Sequence, residues 1–425
     1  MKQNSKMTMG APSRRLLLAS ACATVALAGP TASLAGEQVV KVGVLAPITG
    51  EAAADGEEMV RGAELAVEEA NESGRVDGFR FEVVVGDTED QSSASVVSAI
   101  ERLSRQSDLH VIVTGYASTS NFEIDYMADM EMPYILAAQS SQTRDIIAQD
   151  PDAYPTVWSY TPSYDAYETA LPPVLDQIEE TSDLSFEDRT VALITSDNPY
   201  SMTIYDGLKK SFDDAGWTVT VDETVPFGEV GDWRSTLSRI RQDPPDVIVN
   251  TDYLPGNGAR FMRQFMENPT NSLMFIQYAP SVPEFLELTR DDSTGVIYNM
   301  LGAPVVTEEQ PRGLEVLDAF EARWGTESGM YGVALYEMTH VYFDALEKVG
   351  DPADHLAIGE AIGQTDKQTA SGRLVFDQET HLAKQGNDYF PIQFIQIWDG
   401  ERTLFYPEEY AAEDFRIPPW MSAAE

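Results

Sequence analysis

The stretch TGYASTSN, Thr114 to Asn121, carries three consecutive hydroxyl side chains, Ser118, Thr119 and Ser120. It follows LHVIV, which reads as a strand, and precedes FEIDYMADM, which reads as a helix. Hydroxyls at such a junction suit polar contact. A helix start leaves backbone N–H groups without partners and carries a partial positive charge. With serine hydroxyls as further donors it can hold a carboxylate or a carbonyl oxygen. The same residues can also simply cap the helix, a common role for serine and threonine.

Residues for bond-making chemistry are not arranged in any recognisable set. His110, His340, His355 and His381 are the only histidines, and none has an H-E-x-x-H neighbourhood. No G-x-S-x-G and no G-x-x-x-x-G-K-[ST] occurs. DTED, Asp87 to Asp90, reads as a solvated turn at a strand end rather than a metal or acid–base cluster. GNGARF lacks the last glycine of a dinucleotide fingerprint and reads as a turn opening a helix. The expectation is a binding protein and not an enzyme, without metal or cofactor.

The elements that must position these residues begin after residue 35. SRRLLLASACATVALAG joins a twin arginine, Arg14 and Arg15, to a short apolar stretch, and Ser33-Leu34-Ala35 gives small residues at cleavage spacing. Residues 1–35 therefore read as a twin-arginine export signal, cut near Ala35, with the periplasm as destination. A membrane anchor fits less well, because the run is broken by Gly29 and Pro30. A lipid anchor at Cys22 is the weaker alternative. Removing the signal takes four basic residues and no acidic one, so the formal charge moves from −42 to −46. That charge argues against nucleic acid or an anionic membrane as partner. The lone cysteine leaves with the signal, so a disulfide is excluded and the fold rests on its core.

From Val39 the chain alternates strand and helix. VVKVGVLAPI, FRFEVVVGD, LHVIVTG and PYILAA read as buried strands, separated by helical runs that include EEMVRGAELAVEEANESG with its stop at Gly74. PDAYPTVWSYTPSYDAY reads as a connection. The alternation then restarts with RTVALITSD, WTVTVDETV, DVIVNTDY and LMFIQY as strands. GVIYNMLGAPV reads as a crossing back, followed by two long helices and a strand-rich tail. Such alternation implies parallel sheets covered on both faces. The fold class is α/β, with two doubly wound, Rossmann-like lobes.

Four segments carry a resemblance: VKVGVLAPITGEAAADGEEMVRGAELAVEEAN, GDTEDQSSASVVSAIERL, VIVTGYASTSNFEIDYMADMEMPYI and VALITSDNPYSMTIYDGLKKSFDDAG. In their order and spacing the chain resembles the periplasmic solute-binding proteins of the branched-chain amino acid and amide class, which serve ATP-driven importers. The resemblance spans about Val39 to Tyr406. It implies two lobes joined by a three-segment hinge, with crossings near Trp158 to Pro162, Asn299 to Ala303 and Ser371 to Phe376. Lobe 1 would comprise 36–158 and 302–372, and lobe 2 159–301 and 373–425. It implies a small ligand between the lobes, an inner-membrane permease with a cytoplasmic ATPase as partner, and a monomer. A ligand sensor acting through a separate signalling partner is the alternative.

The resemblance also implies contacts. Ser118, with Thr119, would donate to the polar head of the ligand, and Ser140 and Ser141 would add hydroxyls from the next strand end. Tyr200 and Tyr253 would cover the ligand from lobe 2, where a ring and a hydroxyl serve together. The sequence departs from the amino acid binders at FIQYAPSV, which has Gln277 and Tyr278 where they carry an acid. It has Asp55 in the first loop, where the family often has a bulky residue, and Tyr116 two residues before Ser118, as in the amide- and urea-recognising branch.

Overall fold

The computed structural model describes residues 37–421 apart from 107, 119, 138–140 and 308–310, and not the side chains of Gln106 and Gln142. The expected export signal lies outside the described residues.

The chain alternates as its apolar runs predict. The first block holds β1 (Gln38–Ala46), α1 (Ala53–Ser73), β2 (Phe79–Asp87), α2 (Ser93–Gln106), β3 (Leu109–Thr114), α3 (Glu123–Asp129), β4 (Tyr134–Leu136), α4 (Ser141–Gln149) and β5 (Val157–Ser159). The second holds α5 (Asp165–Thr169), α6 (Leu171–Thr181), β6 (Thr190–Asp197), α7 (Pro199–Asp214), β7 (Thr218–Pro226), α8 (Arg234–Gln242), β8 (Val247–Asn250), α9 (Pro255–Met266), β9 (Leu273–Ile276), α10 (Pro283–Thr289) and β10 (Ile297–Leu301). The last part holds α11 (Arg312–Trp324), α12 (Met330–Val349), α13 (His355–Gly363), β11 (Asp366–Thr369), β12 (Gly372–Val375), β13 (Ile392–Trp398) and β14 (Glu401–Tyr406).

Two doubly wound sheets result. The first is parallel in the order β2-β1-β3-β4-β5. The second runs β14-β13-β10-β9-β8-β6-β7. Its strands β6 to β10 repeat the order of the first sheet, and β13 and β14 add antiparallel to the β10 edge. Each sheet reverses its winding beside its first strand, between β1 and β3 and between β6 and β8. Ligands of open parallel sheets bind outside the carboxyl ends of the strands at such reversals.

Burial explains why continuous apolar runs became strands. Every residue of β3, β8, β9 and β10 is buried. Along β3, Val111 and Val113 join the core that holds Met59, Ala63 and Val333 of α1 and α12. The intervening Ile112 joins a second core with Val96, Ile100 and Leu103 of α2. Alternate side chains thus serve opposite faces of one sheet. α1 stops at Gly74, whose φ of 62° is left-handed, as its sequence position predicts.

Two segments differ from the sequence reading. The Pro- and Tyr-rich connection contains β5, the edge of the first sheet, and α5. Three residues of strand are too few to show a period. GVIYNMLGAPV is first a strand, β10, and crosses only after Leu301.

The links between the sheets meet at one knot. Tyr160 Oη donates toward Thr369 Oγ1 (3.1 Å) and Ser371 Oγ (3.2 Å), and Ser371 Oγ donates to Gly302 O (2.6 Å). Gly302 has φ 77°, and a Cβ there would meet Thr161 Cγ2 at 2.6 Å. The third link is longer than the expected Ser371 to Phe376. Leu382 bridges Ser159 on the β5 edge before the chain enters the second sheet at Ile392.

α1 and α12 cross closely because glycines face each other. A Cβ on Gly62 would sit 2.0 Å from Gly332 O. Gly62→Ala should therefore force the helices apart and cost about 1–3 kcal/mol, the range of overpacked cores. Gly231→Ala, with nothing within 4 Å of its Cβ, is the control. Urea unfolding of both variants measures this, and equal midpoints for the two would count against the close crossing.

Candidate functional site

The carboxyl ends of the two sheets face one cavity, with about 350 Å³ of space not filled by atoms when the part open to solvent is counted. Among the described residues its walls are six tyrosines, Tyr116, Tyr164, Tyr200, Tyr253, Tyr278 and Tyr331, with Gln91 and Ser118. Four of the tyrosines stand just past parallel strands: Tyr116 after β3, Tyr200 after β6, Tyr253 after β8 and Tyr278 after β9. Tyr331 comes from the first turn of α12, and Tyr164 from the link that leaves β5.

Local chemistry fixes these positions. Asn198 caps α7 by accepting from Ser201 N (3.0 Å), which sets Tyr200 in the first helical turn. Asp252 Oδ1 accepts from Leu254 N (3.2 Å) and its Oδ2 from Asn257 Nδ2 (2.7 Å), shaping the turn that presents Tyr253. Tyr278 has φ 59° and ψ −54°, and Ala279 N bonds to Gln277 O (2.7 Å) around it. That is a strained γ-turn, and strain of this kind persists where surrounding structure fixes the side chain.

The rings contact one another around the cavity. Tyr116, Tyr253, Tyr278 and Tyr331 close a circuit with centroid separations of 6.5, 6.5, 5.8 and 5.2 Å. Tyr200 stands at 88° to Tyr253 and 87° to Tyr164. Edge-to-face pairs of this sort are favourable beyond their buried area.

Asp55 lies in the first turn of α1, not in the loop before it, and is buried behind the rings. It is not among the residues that line the cavity, where a ligand contact was expected of it. Its oxygens instead accept from Tyr116 Oη (2.6 Å) and Tyr278 Oη (2.8 Å), one ring from each lobe. Burial pushes its carboxyl up to about 6, against the two hydroxyl bonds that lower it. One turn on, burial pushes Glu58 up to about 7, although it accepts from the backbone N–H groups of Gly329 and Tyr331.

Ser118 lines the cavity but caps nothing. α3 begins five residues later, with Phe122 at its N-cap and no side-chain cap bond. The Ser118 hydroxyl donates to Glu123 Oε2 (2.6 Å), so the expected donation to a ligand oxygen is not what its proton does here. Tyr134 Oη reaches the other oxygen of Glu123 (3.2 Å), a carboxyl that burial raises. Ser141 begins α4, half-buried, and is not among the lining residues. Thr119 and Ser140 lie outside the described residues. The sequence reading brought Tyr116, Ser118, Tyr200 and Tyr253 to the cavity and missed Gln91, Tyr164, Tyr278 and Tyr331 as contacts. A signal existed for Tyr278, since it repeats the spacing of a tyrosine two or three residues beyond a buried strand. Among the described residues no group of three or more His, Cys, Asp or Glu side chains could hold a metal ion.

The raised carboxyls set the pH dependence of stability. Each binds its proton more tightly when folded than at the ordinary value of 3.8 for an aspartate or 4.5 for a glutamate. Their stabilising contribution is complete below about pH 4 and is lost as pH rises through about 6 and 7. Unfolding free energy should therefore fall between pH 5 and pH 8, by on the order of 3 kcal/mol. Glu58→Gln should flatten part of that slope, the rest coming from Asp55 and from Asp252 and Glu123, which burial also raises. Urea titrations across the window test it, and an undiminished slope in the variant would sink the assignment.

The sequence profile of the periplasmic binding protein family matches residues 39–394. A leucine-, isoleucine-, valine-, threonine- and alanine-binding protein of Pseudomonas aeruginosa is 23% identical, over 85% of this chain and 91% of its own. A Leu/Ile/Val-binding protein homolog of Brucella suis is 26% identical, over 95% of this chain and 99% of its own. Among solved structures, a putative branched-chain amino acid ABC transporter protein from Silicibacter pomeroyi aligns with a TM-score of 0.78 at 29% identity, covering 90% of this chain and all of its own. A branched-chain amino acid transporter substrate-binding protein from Streptococcus pneumoniae, solved with isoleucine, aligns at 0.70 and 19% identity, over 86% of this chain and 98% of its own. The profile spans most of the chain and the two-lobed fold recurs in these structures, and the chain belongs to the periplasmic binding protein family.

Proposed function

We propose that this protein is the substrate-binding component of an ABC importer. It captures a small polar solute, of amino acid or amide type, between its lobes and delivers it to a membrane permease with its ATPase. One observation carries the reading: a single cavity is walled from the carboxyl ends of both sheets, at both winding reversals. A ligand there contacts both lobes at once, so its binding energy favours the closed arrangement. The named relatives, which bind branched-chain amino acids, support the importer role. The twin arginine and the small residues before Gly36 support export to the periplasm, and a monomer is the assembly assigned to it. Tyr116, Ser118, Tyr200 and Tyr253 are the contacts assigned to the ligand.

Thermal-shift screening of the mature protein against amino acids, amides and urea identifies binders, since a ligand at about a hundredfold its Kd adds roughly 2.7 kcal/mol. With a binder at saturation, small-angle scattering should show a smaller radius of gyration. Tyr200→Ala should weaken that binder by about ten- to a hundredfold in calorimetric titration, as loss of a buried aromatic anchor does. An unchanged radius together with unchanged affinity would remove the cleft as the binding site. A strain lacking the gene should lose uptake of the same solute, and wild-type uptake would reject the transport role.

A further inference from the structure

We propose that the solute's head group is a methylated ammonium cation, held within the tyrosine cavity. This rests on the reading of the cavity as the solute site, and it puts an N-methylated head in place of the primary ammonium of an ordinary amino acid.

The first support is the wall itself. Six aromatic rings surround one space, and neighbouring rings stand steeply to one another, at 88°, 87° and 78° for Tyr200–Tyr253, Tyr164–Tyr200 and Tyr116–Tyr253. Ring faces carry negative charge density, and a weakly hydrated cation gains most from them where water is displaced.

The second support is where the hydroxyl protons go. Tyr116 and Tyr278 give theirs to Asp55, Ser118 to Glu123, and Tyr253 to Gln91 Oε1 (3.4 Å). Tyr200 Oη accepts from Gln277 Nε2 (3.4 Å). Four of the lining hydroxyls therefore keep lone pairs, not protons, for a ligand, whereas among the described residues no acceptor takes the protons of Tyr164, Tyr200 and Tyr331. At the first four an anionic head would meet oxygens, and a cation meets acceptors.

The third support is the charge one layer out. Asp55 and Glu123 are buried directly behind the lining groups, and Asp252 is buried beside Tyr253. No basic side chain lines the cavity among the described residues. Burial raises the hydroxyls of Tyr116, Tyr200, Tyr253, Tyr278 and Tyr331, and the charge of Asp55 adds to the rise of each. Yet no carboxylate itself lines the cavity among the described residues. A primary ammonium has three N–H groups and strong hydration to replace, which calls for a carboxylate in contact. A methylated ammonium spreads its charge over methyl groups and needs only ring faces and a negative surrounding.

Calorimetric titration of the mature chain with choline, trimethylglycine, leucine and 3,3-dimethylbutan-1-ol, the neutral carbon counterpart of choline, tests this. At least one of choline and the zwitterion trimethylglycine should bind, and choline should bind at least about tenfold more tightly than its neutral counterpart. Tyr253→Phe, which keeps the ring, should hold cation affinity within about threefold, and Tyr253→Leu should lose about tenfold or more. Equal affinity for choline and its neutral counterpart would overturn the inference. So would leucine binding with closure of the cleft while neither choline nor trimethylglycine binds, an outcome that leaves solute capture standing. Cation binding without any change in the radius of gyration would support the cation site and count against closure around it.

Discussion

The arrangement of the site depends on one buried carboxylate. Asp55 is removed from water, and the loss of hydration is offset by two hydroxyl bonds, from Tyr116 and Tyr278. Those two tyrosines belong to different sheets. The same carboxylate therefore sets the direction of two cavity rings and ties the lobes across the cleft. Any parting of the lobes would break the Tyr278 bond to Asp55, and water reaching the carboxylate would offset part of that loss.

Around that contact the scaffold is repetitive and rigid. Both lobes use the same strand order, so both place a winding reversal against the cleft. Glu58 pins the start of α12 through the N–H groups of Gly329 and Tyr331, which places the Tyr331 ring. The Gly62–Gly332 approach lets α12 lie close enough to α1 for that contact to form. A substitution far from the cavity on this crossing would move a cavity wall.

Much of the fold was legible because burial on both faces writes long apolar runs into β3, β6 and β8. Where an element is short, the signal vanishes: β5 has three residues inside a Pro- and Tyr-rich stretch, and no periodicity distinguishes it. The site was half legible. The family resemblance marked Tyr116, Tyr200 and Tyr253, which all stand two or three residues past a buried strand, and Tyr278 has the same spacing. Tyr331 sits within a helix whose residues are almost all buried, so its ring has no distinguishing pattern in one dimension.

The sequence by itself determined the alternation of strands and helices, the two lobes, and which strand ends carry aromatic and hydroxyl groups, because these follow from local periodicity and composition. Tertiary structure alone decided what those groups do. The Ser118 proton goes to Glu123, five residues on, because α3 starts later than the hydroxyl cluster suggests. Asp55 became the link between lobes and not a wall of the cavity, because Tyr278 reaches it across 223 positions of sequence. Hydrogen-bond partners and desolvation depend on distances that no sequence spacing encodes.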